Sequence, residues 1–330
     1  MPLSIEFPTS IDSSMRNEYI QCERKGLYGY FRHLKPKGSR PHLDAGGAFA
    51  HGVEVARKLF YSSPPLPFLA NLSPSEKADR CAGAGALAAY LARLEDDDPE
   101  KAPFKTAIRV CFAVIDYFRE WPLETDPIKP YINVLGEPAV EYRFAVPIDV
   151  LHPTTGEPIL YTGKFDMLAS YDGGYWPVDE KTASRLGPTW SQAFDLRGQF
   201  IGYCWAVREQ GLPVMGCIAR GIGFLANEVS FQQVPIRFPT WLIDEWYEQL
   251  LVDVRRMIRV WVSGRWSKVY GEACGAYGGC QFKPLCLRPN PEEWVESLFK
   301  VEKWSPLDEQ KYPATDYLME AIQSWPASTM

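Results

Sequence analysis

The sequence predicts an α/β domain with a mixed central sheet flanked by helices, preceded by a helical N-terminal elaboration. Three observations support this class. Apolar residues recur at helical spacing over the first ~125 residues. Alternating, strand-like runs begin at Ala139, and further helices are interspersed with strands beyond them. A cysteine-rich segment and a polar tail end the chain.

Proline-rich breaks and changes of period set the predicted boundaries. The helical patterns cover residues 14–33, 46–61, 75–94, 104–120, 190–209 and 239–262. The strand patterns cover residues 139–148, 159–171, 175–182, 216–226 and 229–236. No linker composition interrupts this series. We therefore predict one domain over residues 1–290, including the cysteine-rich segment, and a C-terminal tail over residues 291–330.

Composition restricts the class of protein. The chain has 330 residues, 46% of them hydrophobic, which is ample for a buried core. No apolar run reaches the ~18 residues of a membrane span, and the first residues lack the form of a signal peptide. We expect a soluble protein of the cytoplasm, in a bacterial or phage-infected cell. The net charge of −6 indicates no general affinity for nucleic acid.

Any DNA-binding surface must therefore be a local one, and the best candidate lies near the N-terminus. Basic residues there alternate with aromatic ones, a mixture that suits phosphates and unpaired bases. The basic residues are Arg16, Arg24, Lys25, Arg32, Lys35, Lys37 and Arg40, and the aromatic ones are Tyr28, Tyr30 and Phe31. The alternative is a solvated helix face whose aromatic residues belong to the core.

The segment TGKFDMLASYDGGYWPVDEKT predicts a β-hairpin, because two strand-like runs flank Asp172-Gly173-Gly174. A two-residue loop at Asp172-Gly173 places Asp166 opposite Asp179. A loop one step later places Asp166 opposite Lys181, and a three-residue loop breaks the alignment.

Strand alternation puts Asp179 and Lys181 on one face, with Glu180 pointing away. Two adjacent carboxylates need a compensating cation, and their oxygen ligands suit Mg²⁺ or Mn²⁺. Lys181 could then position or activate the attacking water, or stabilise charge on a phosphate. The alternative is an exposed hairpin with scattered charges, which the apolar residues before Asp179 disfavour.

These residues resemble the RecB-type branch of the PD-(D/E)XK nuclease superfamily, which includes CRISPR-associated exonucleases. The shared motifs are Gly163-x-x-Asp166, Asp179-x-Lys181, Gln199-x-x-x-Tyr203 and an upstream His51. The resemblance implies a restriction-endonuclease-like core. It also implies a metal site of His51, Asp166 and Asp179, and catalytic roles for Asp166, Asp179, Lys181, Gln199 and Tyr203. Glu54 and Glu141 are candidate assisting residues.

The outer motifs also have simpler interpretations. Gln199 and Tyr203 share one helical face, so they could orient Lys181 or contact a phosphate. Equally, they could be a buried pair between helix and sheet. His51 lies one turn before Val55, where a core histidine is the ordinary expectation.

Four of the eight cysteines form a separate pattern. Cys274, Cys280 and Cys286 recur at six-residue steps among glycines, and Cys22 is the natural fourth ligand. In a similar arrangement, a subgroup of RecB-type nucleases holds a [4Fe–4S] cluster with one N-terminal and three C-terminal cysteines. The C-terminal cysteines of that subgroup include a close Cys-x-x-Cys pair, which this sequence lacks. Structural Zn²⁺ is the alternative. The remaining cysteines lie in apolar contexts typical of the core, and they are Cys81, Cys111, Cys204 and Cys217.

The sequence therefore predicts a Mg²⁺- or Mn²⁺-dependent DNA exonuclease acting on single strands or ends, in recombination, repair or phage DNA processing. Without a P-loop motif, it would act alone or with a separate helicase or recombination partner. One alternative is a cluster-bearing DNA-binding or assembly subunit whose nuclease site is vestigial. Another is an endonuclease or spacer-trimming enzyme of CRISPR adaptation.

Overall fold

A computed structural model describes residues 5–37, 41–94, 97–275 and 279–303, with no side-chain description for residues 41–43. Arg40 and residues 304–330 of the predicted tail lie outside the described residues. The described residues form two compact units. The first comprises residues from 5–37, 143–164 and 240–303, and the second comprises residues from 41–142 and 165–239.

The helices and strands alternate along the chain much as the sequence predicts. In chain order they are β1 (Ser10–Ile11), α1 (Ser13–Gln21), α2 (Glu23–Gly26), β2 (Leu34–Pro36), α3 (Pro41–Tyr61), α4 (Pro74–Leu94), α5 (Ala107–Glu120), β3 (Lys129–Pro130), β4 (Val140–Leu151), β5 (Pro158–Tyr171), β6 (Gly174–Ala183), α6 (Pro188–Gln192), α7 (Gly198–Glu209), β7 (Cys217–Phe224), β8 (Val229–Ile236), α8 (Thr240–Ser263), α9 (Lys283–Cys286), α10 (Val295–Leu298) and β9 (Phe299–Val301).

Seven strands form one mixed sheet, which confirms the predicted α/β class. Its main order is β1-β5-β6-β7-β8, and β3 and β4 also pair with β5. The β5–β6 and β7–β8 pairs are antiparallel, whereas β6 and β7 are parallel. A parallel pair needs a crossover connection, and the segment containing α6 and α7 supplies it.

Helices flank the sheet of the second unit. Gly46 of α3 lies against Thr182 of β6, and Gln199 of α7 contacts Asp179 of the same strand. Because neighbouring strand residues face opposite ways, α3 and α7 approach different faces of β6. All eight residues of β7 are buried, as expected for a strand covered on both faces.

Helices α3 and α4 pack closely through two glycines. A Cβ atom built on Gly85 would lie 2.3 Å from the Gly52 carbonyl oxygen and 2.9 Å from Ala56 Cβ. Small residues on both helices therefore bring the backbones together. The cluster buried around this contact draws on α3, α4 and α5, and includes Ile222 and Phe224 of β7.

Two predicted helices are interrupted. The helix predicted over residues 14–33 breaks at Cys22, whose backbone is extended, and resumes as α2 and a π-helical turn over Leu27–Phe31. The helix predicted over residues 190–209 divides into α6 and α7, because the chain makes short i→i−3 turns between Gln192 and Arg197. Gly198 favours a restart there, since glycine is a poor residue for a helix interior.

The first unit is held together by polar contacts around α1 and α8. Arg16 forms a 2.7 Å ion pair with Asp253, and the Ser13 and Tyr161 hydroxyls lie 2.6 Å apart. At the start of the predicted tail, β9 pairs antiparallel with β2. Among the residues described, no helix combines the length and apolar character of a membrane span.

Candidate active site

The β5–β6 hairpin has the first of the predicted registers. Tyr171 pairs with Gly174, and the pairing continues to Met167 and Val178. Asp172 and Gly173 have φ values of 50° and 74°, as a tight two-residue loop requires. Asp166 and Asp179 follow directly on the last pair, so local turn geometry brings the two carboxylates to neighbouring positions.

Asp166 is held at the end of this pairing by its side chain. Its Oδ2 atom accepts a 2.6 Å hydrogen bond from the backbone N–H of Glu180. Burial, followed by the charges of Asp179, Glu180 and Glu141, raises the pKa of Asp166 well above its ordinary value. Asp166 is therefore a carboxylate with a shortage of positive charge around it.

Asp179, Lys181, Gln199 and Tyr203 form one connected group. Lys181 Nζ lies 2.7 Å from Asp179 Oδ2, and the amide of Gln199 donates to Asp179 Oδ1 at 3.3 Å and to the Tyr203 hydroxyl at 2.8 Å. Burial raises the pKa of Asp179, although Lys181 opposes the rise. Burial alone would lower the pKa of Lys181, but Asp179 and Asp166 raise it, so the ammonium form is favoured.

Lys181 is partly exposed to solvent, whereas Asp179 is not. The Lys181 side chain retains 32% of its exposure, whereas the Asp179 side chain retains 4%. The lysine can therefore meet a solvent-borne substrate while the aspartate behind it stays fixed. Glu180 faces the opposite way and contacts Arg57 and Tyr117, as strand alternation predicts.

The remaining predicted residues lie at two further places. His51 and Glu54 share one face of α3, with Nδ1 of His51 3.3 Å from Glu54 Oε2. Burial would raise the pKa of Glu54, but His51 and Lys58 lower it to about 2. Glu141, the second residue of β4, has a left-handed conformation with φ of 54°, and its charge acts on Asp166. Positive φ is unusual for a residue with a side chain.

A divalent cation fits the donor chemistry of the two aspartates. Asp179 is buried, Asp166 is half-buried, and the charge of Asp179 raises the pKa of Asp166. Hard cations prefer such oxygen ligands. Within the described ranges, however, no three side chains of histidine, cysteine, aspartate or glutamate converge closely enough to hold a metal ion. His51 as a third ligand therefore stays a prediction.

Comparison with known proteins identifies the family. The sequence model of the PD-(D/E)XK nuclease superfamily matches residues 14–287, which is most of the chain. This chain belongs to the PD-(D/E)XK nuclease superfamily. No curated protein matches the sequence. Among solved structures, the crystal structure of SSO0001 is similar at 12% identity and a TM-score of 0.28, covering 76% of this chain and 94% of that one.

Membership of the PD-(D/E)XK nuclease superfamily indicates a nuclease that acts on DNA, and nucleases of this superfamily generally use Mg²⁺ or Mn²⁺. The superfamily is named for an aspartate that precedes an (Asp/Glu)-x-Lys sequence. Asp166 and the run Asp179-Glu180-Lys181 have this order on β5 and β6. The matched range also includes the Gln199–Tyr203 pair and Cys22, Cys274, Cys280 and Cys286.

The four patterned cysteines are free, half-buried thiols of the first unit. Ser267 accepts a weak 3.9 Å contact from Cys22 Sγ, and Lys268 donates to the Cys286 carbonyl at 2.9 Å. Burial raises the pKa of Cys286, with Lys268 opposing this and the charges of Cys280 and Cys22 adding to it. The other cysteines are core residues at Cys81, Cys204 and Cys217, while Cys111 is half-buried.

The N-terminal basic residues have partners within the first unit. Arg24 donates to the Trp266 carbonyl, Lys25 lies 3.4 Å from Glu18, and Arg32 makes two hydrogen bonds to Glu292. Arg16 is buried against Asp253. Tyr28 and Phe31 are also buried, as the alternative interpretation of this segment expected. DNA binding by these four cations stays a prediction.

Two residues beside the site were not identified from sequence. Arg197 is exposed, and its charge acts on both Asp179 and Lys181. Trp190 is half-buried, and a Cβ atom on Gly221 would lie 2.6 Å from its ring. Gly221 is the residue paired with Lys181. Both residues lie shortly before Gln199 in the chain, which could have indicated that they are near the site. The prediction of one uninterrupted helix over residues 190–209 did not place them there.

Proposed function

We propose that this protein is a metal-dependent DNA exonuclease of the RecB-type branch, acting on single strands or ends in recombination, repair or phage DNA processing. The proposed nuclease domain covers residues 1–290. We propose that the protein acts in the cytoplasm, where such DNA is found. The observation that carries the proposal is the meeting of Asp166, Asp179 and Lys181 at one end of the β5–β6 pairing. This arrangement places one buried and one half-buried carboxylate beside a partly exposed ammonium group.

Each predicted side chain is assigned a role in this proposal. Asp166 and Asp179, with His51 as the proposed third ligand, would hold Mg²⁺ or Mn²⁺, which supplies charge stabilisation and an activated water. Lys181 would bind a phosphate oxygen as negative charge develops. Gln199 fixes Asp179 and is itself fixed by Tyr203. Glu54 and Glu141 are proposed to assist through their charges.

Single-stranded DNA suits the surface beside Lys181. Trp190 presents an aromatic ring next to Gly221, and unpaired bases stack on such rings. Arg197 adds an exposed guanidinium, whose fork of donors matches a phosphate. In the described part of the chain, no hydrogen bond or ion pair engages the Arg197 guanidinium.

Replacing Arg197 should weaken substrate binding more than chemistry. We expect the Arg197→Gln variant to raise KM for single-stranded DNA about tenfold and to reduce the slope of binding against salt by about one. Steady-state kinetics at several salt concentrations measure both quantities. The control is Arg119→Gln, because Arg119 is exposed on α5 and its ion pair within the described residues is with Asp116, three residues earlier in the same helix. An unchanged KM in Arg197→Gln would contradict this role.

Digestion of matched substrates tests the exonuclease proposal. The wild-type protein with Mn²⁺ should degrade linear single strands and leave closed circular single strands intact, because an exonuclease needs an end. Cleavage of the circles would favour the endonuclease alternative. Trimming confined to short overhangs would favour a spacer-trimming role in CRISPR adaptation. A separate helicase partner is proposed for duplex substrates, since strand separation requires an energy source.

We further propose that Cys22, Cys274, Cys280 and Cys286 hold a [4Fe–4S] cluster, with structural Zn²⁺ as the alternative. The four thiols do not converge into a metal-holding group in the described residues, but neighbouring contacts link their segments. Cys22 contacts Ser267, Lys268 contacts Cys286, and Cys280 N donates to the Cys274 carbonyl at 3.1 Å. Four thiolates are the usual ligands of such a cluster.

Metal analysis should identify the bound group. We expect anaerobically purified wild-type protein to contain about four irons and four sulfides per chain, and Cys280→Ser to lose most of both. Cys111→Ser is the control, because Cys111 is a half-buried thiol of α5 outside the pattern. Zinc in place of iron would support the alternative, and absence of both metals would overturn the assignment.

A further inference from the structure

Glu180 is a buried carboxylate with strong partners on the far side of β6. Its side chain is only 2% exposed, and Oε1 accepts hydrogen bonds from Arg57 at 2.6 Å and from the Tyr117 hydroxyl at 2.8 Å. The guanidinium of Arg57, in an ion pair with Glu180, offsets the negative charge of this carboxylate. A buried charge without such partners would be strongly unfavourable.

The same residue contacts the proposed catalytic centre through its backbone. The Glu180 N–H donates to Asp166 Oδ2 at 2.6 Å, while its chain neighbours are Asp179 and Lys181. A direct series of contacts therefore leads from Arg57 to the Glu180 carboxylate, and from the Glu180 N–H to Asp166. Any rotation of this peptide would move the Asp166 carboxylate.

Arg57 and Tyr117 are themselves held in place. The Tyr117 hydroxyl accepts from Arg57 at 2.6 Å and from Arg220 at 3.2 Å. Arg220 in turn forms a 2.6 Å ion pair with Asp126. These four side chains are buried, so water cannot replace a lost partner easily. The network therefore holds the Glu180 side chain, and with it the Glu180 peptide, in one orientation within β6.

We propose that Arg57 and Tyr117 are positioning residues of the nuclease centre, acting through Glu180 to orient Asp166. The inference rests on the proposed function. It assigns to Arg57 of α3 and Tyr117 of α5 a part in catalysis that does not require contact with the substrate. The competing interpretation is an ion pair that only fastens α3 to the sheet, in which case the rate of the folded enzyme would not depend on it.

A double-mutant cycle in kcat separates these interpretations. We expect Arg57→Met to lower kcat about 10- to 100-fold with KM for DNA almost unchanged, because the Glu180 side chain loses the partner that holds its peptide in place. Glu180→Met should lower kcat to a similar extent. In Arg57→Met/Glu180→Met the same path is already cut, so kcat should fall no further than in either single variant, a non-additive result. Arg57→Lys should give partial rescue.

Two further variants control for folding. Arg93→Met removes a fully buried arginine of α4 whose Nε donates to the Lys105 carbonyl, and its kcat should match wild type once folding is confirmed by circular dichroism. Tyr117→Phe keeps the ring and loses only the hydroxyl, so it tests the network even if Arg57→Met fails to fold. We expect its kcat to fall about fivefold.

The outcomes distinguish the two levels of the proposal. Active wild-type enzyme with unchanged kcat in folded Arg57→Met, or in Tyr117→Phe if Arg57→Met does not fold, would overturn the positioning role alone. Additive losses in the double variant would also overturn it. A wild-type protein without hydrolysis would overturn the proposed function, and the positioning role with it.

Discussion

The Asp166→Asn variant should lose at least about 10³-fold in kcat on single-stranded DNA, and yet unfold at the same or a higher temperature than wild type. Asparagine is nearly isosteric and can still accept the Glu180 N–H. It also removes one of several carboxylates that repel one another in a buried setting, a repulsion worth ~0.2–1 kcal/mol for directly opposed charges. Activity assays with Mn²⁺ and thermal unfolding in a chelator measure the two effects.

Asp172→Asn is the matched control for this prediction. Asp172 lies in the turn of the same hairpin, is 63% exposed, and has a positive φ that asparagine tolerates. Its activity and unfolding temperature should equal those of wild type. Full activity in Asp166→Asn would remove Asp166 from the catalytic centre. A fall of several degrees in its unfolding temperature would show that the carboxylate is a structural requirement.

The largest expected effect on stability comes from Gly85→Val. The added side chain would begin 2.3 Å from the Gly52 carbonyl oxygen, so α3 and α4 must separate. We expect the free energy of unfolding to fall by about 3 kcal/mol, measured by urea denaturation. Asp79→Val, on an exposed position of α4, controls for valine's lower helix propensity. Equal midpoints for the two variants would contradict the close packing.

The β5–β6 hairpin was predictable because its determinants are local. Asp172-Gly173 selects a tight turn, and the turn sets the register that brings Asp166 beside Asp179. Strand alternation then separates Glu180 from Asp179 and Lys181. The Gln199–Tyr203 contact also follows from helical spacing alone. These features depend on residues that are close in the chain.

The partners of Glu180 were beyond such reasoning. Alternation indicates that its side chain leaves the site, but Arg57 is 123 residues away and only tertiary packing brings the two together. The break at Cys22 was hidden for another reason, since its flanking residues continue a helical pattern. The break between α6 and α7 was missed for the same reason, so the positions of Trp190 and Arg197 beside the site were missed as well. Local helix propensity is a weak guide where tertiary packing determines the helix boundaries.

The most direct test of the Asp166–Asp179–Lys181 centre compares anaerobically purified wild-type protein with Lys181→Ala on linear single-stranded DNA. We expect hydrolysis by wild type that requires Mn²⁺ or Mg²⁺, and at least a ~10³-fold lower rate in Lys181→Ala at an unchanged circular dichroism spectrum. Equal rates in both proteins would contradict the assignment of Lys181. Absence of hydrolysis in both would contradict the nuclease proposal and favour a vestigial, cluster-bearing assembly subunit.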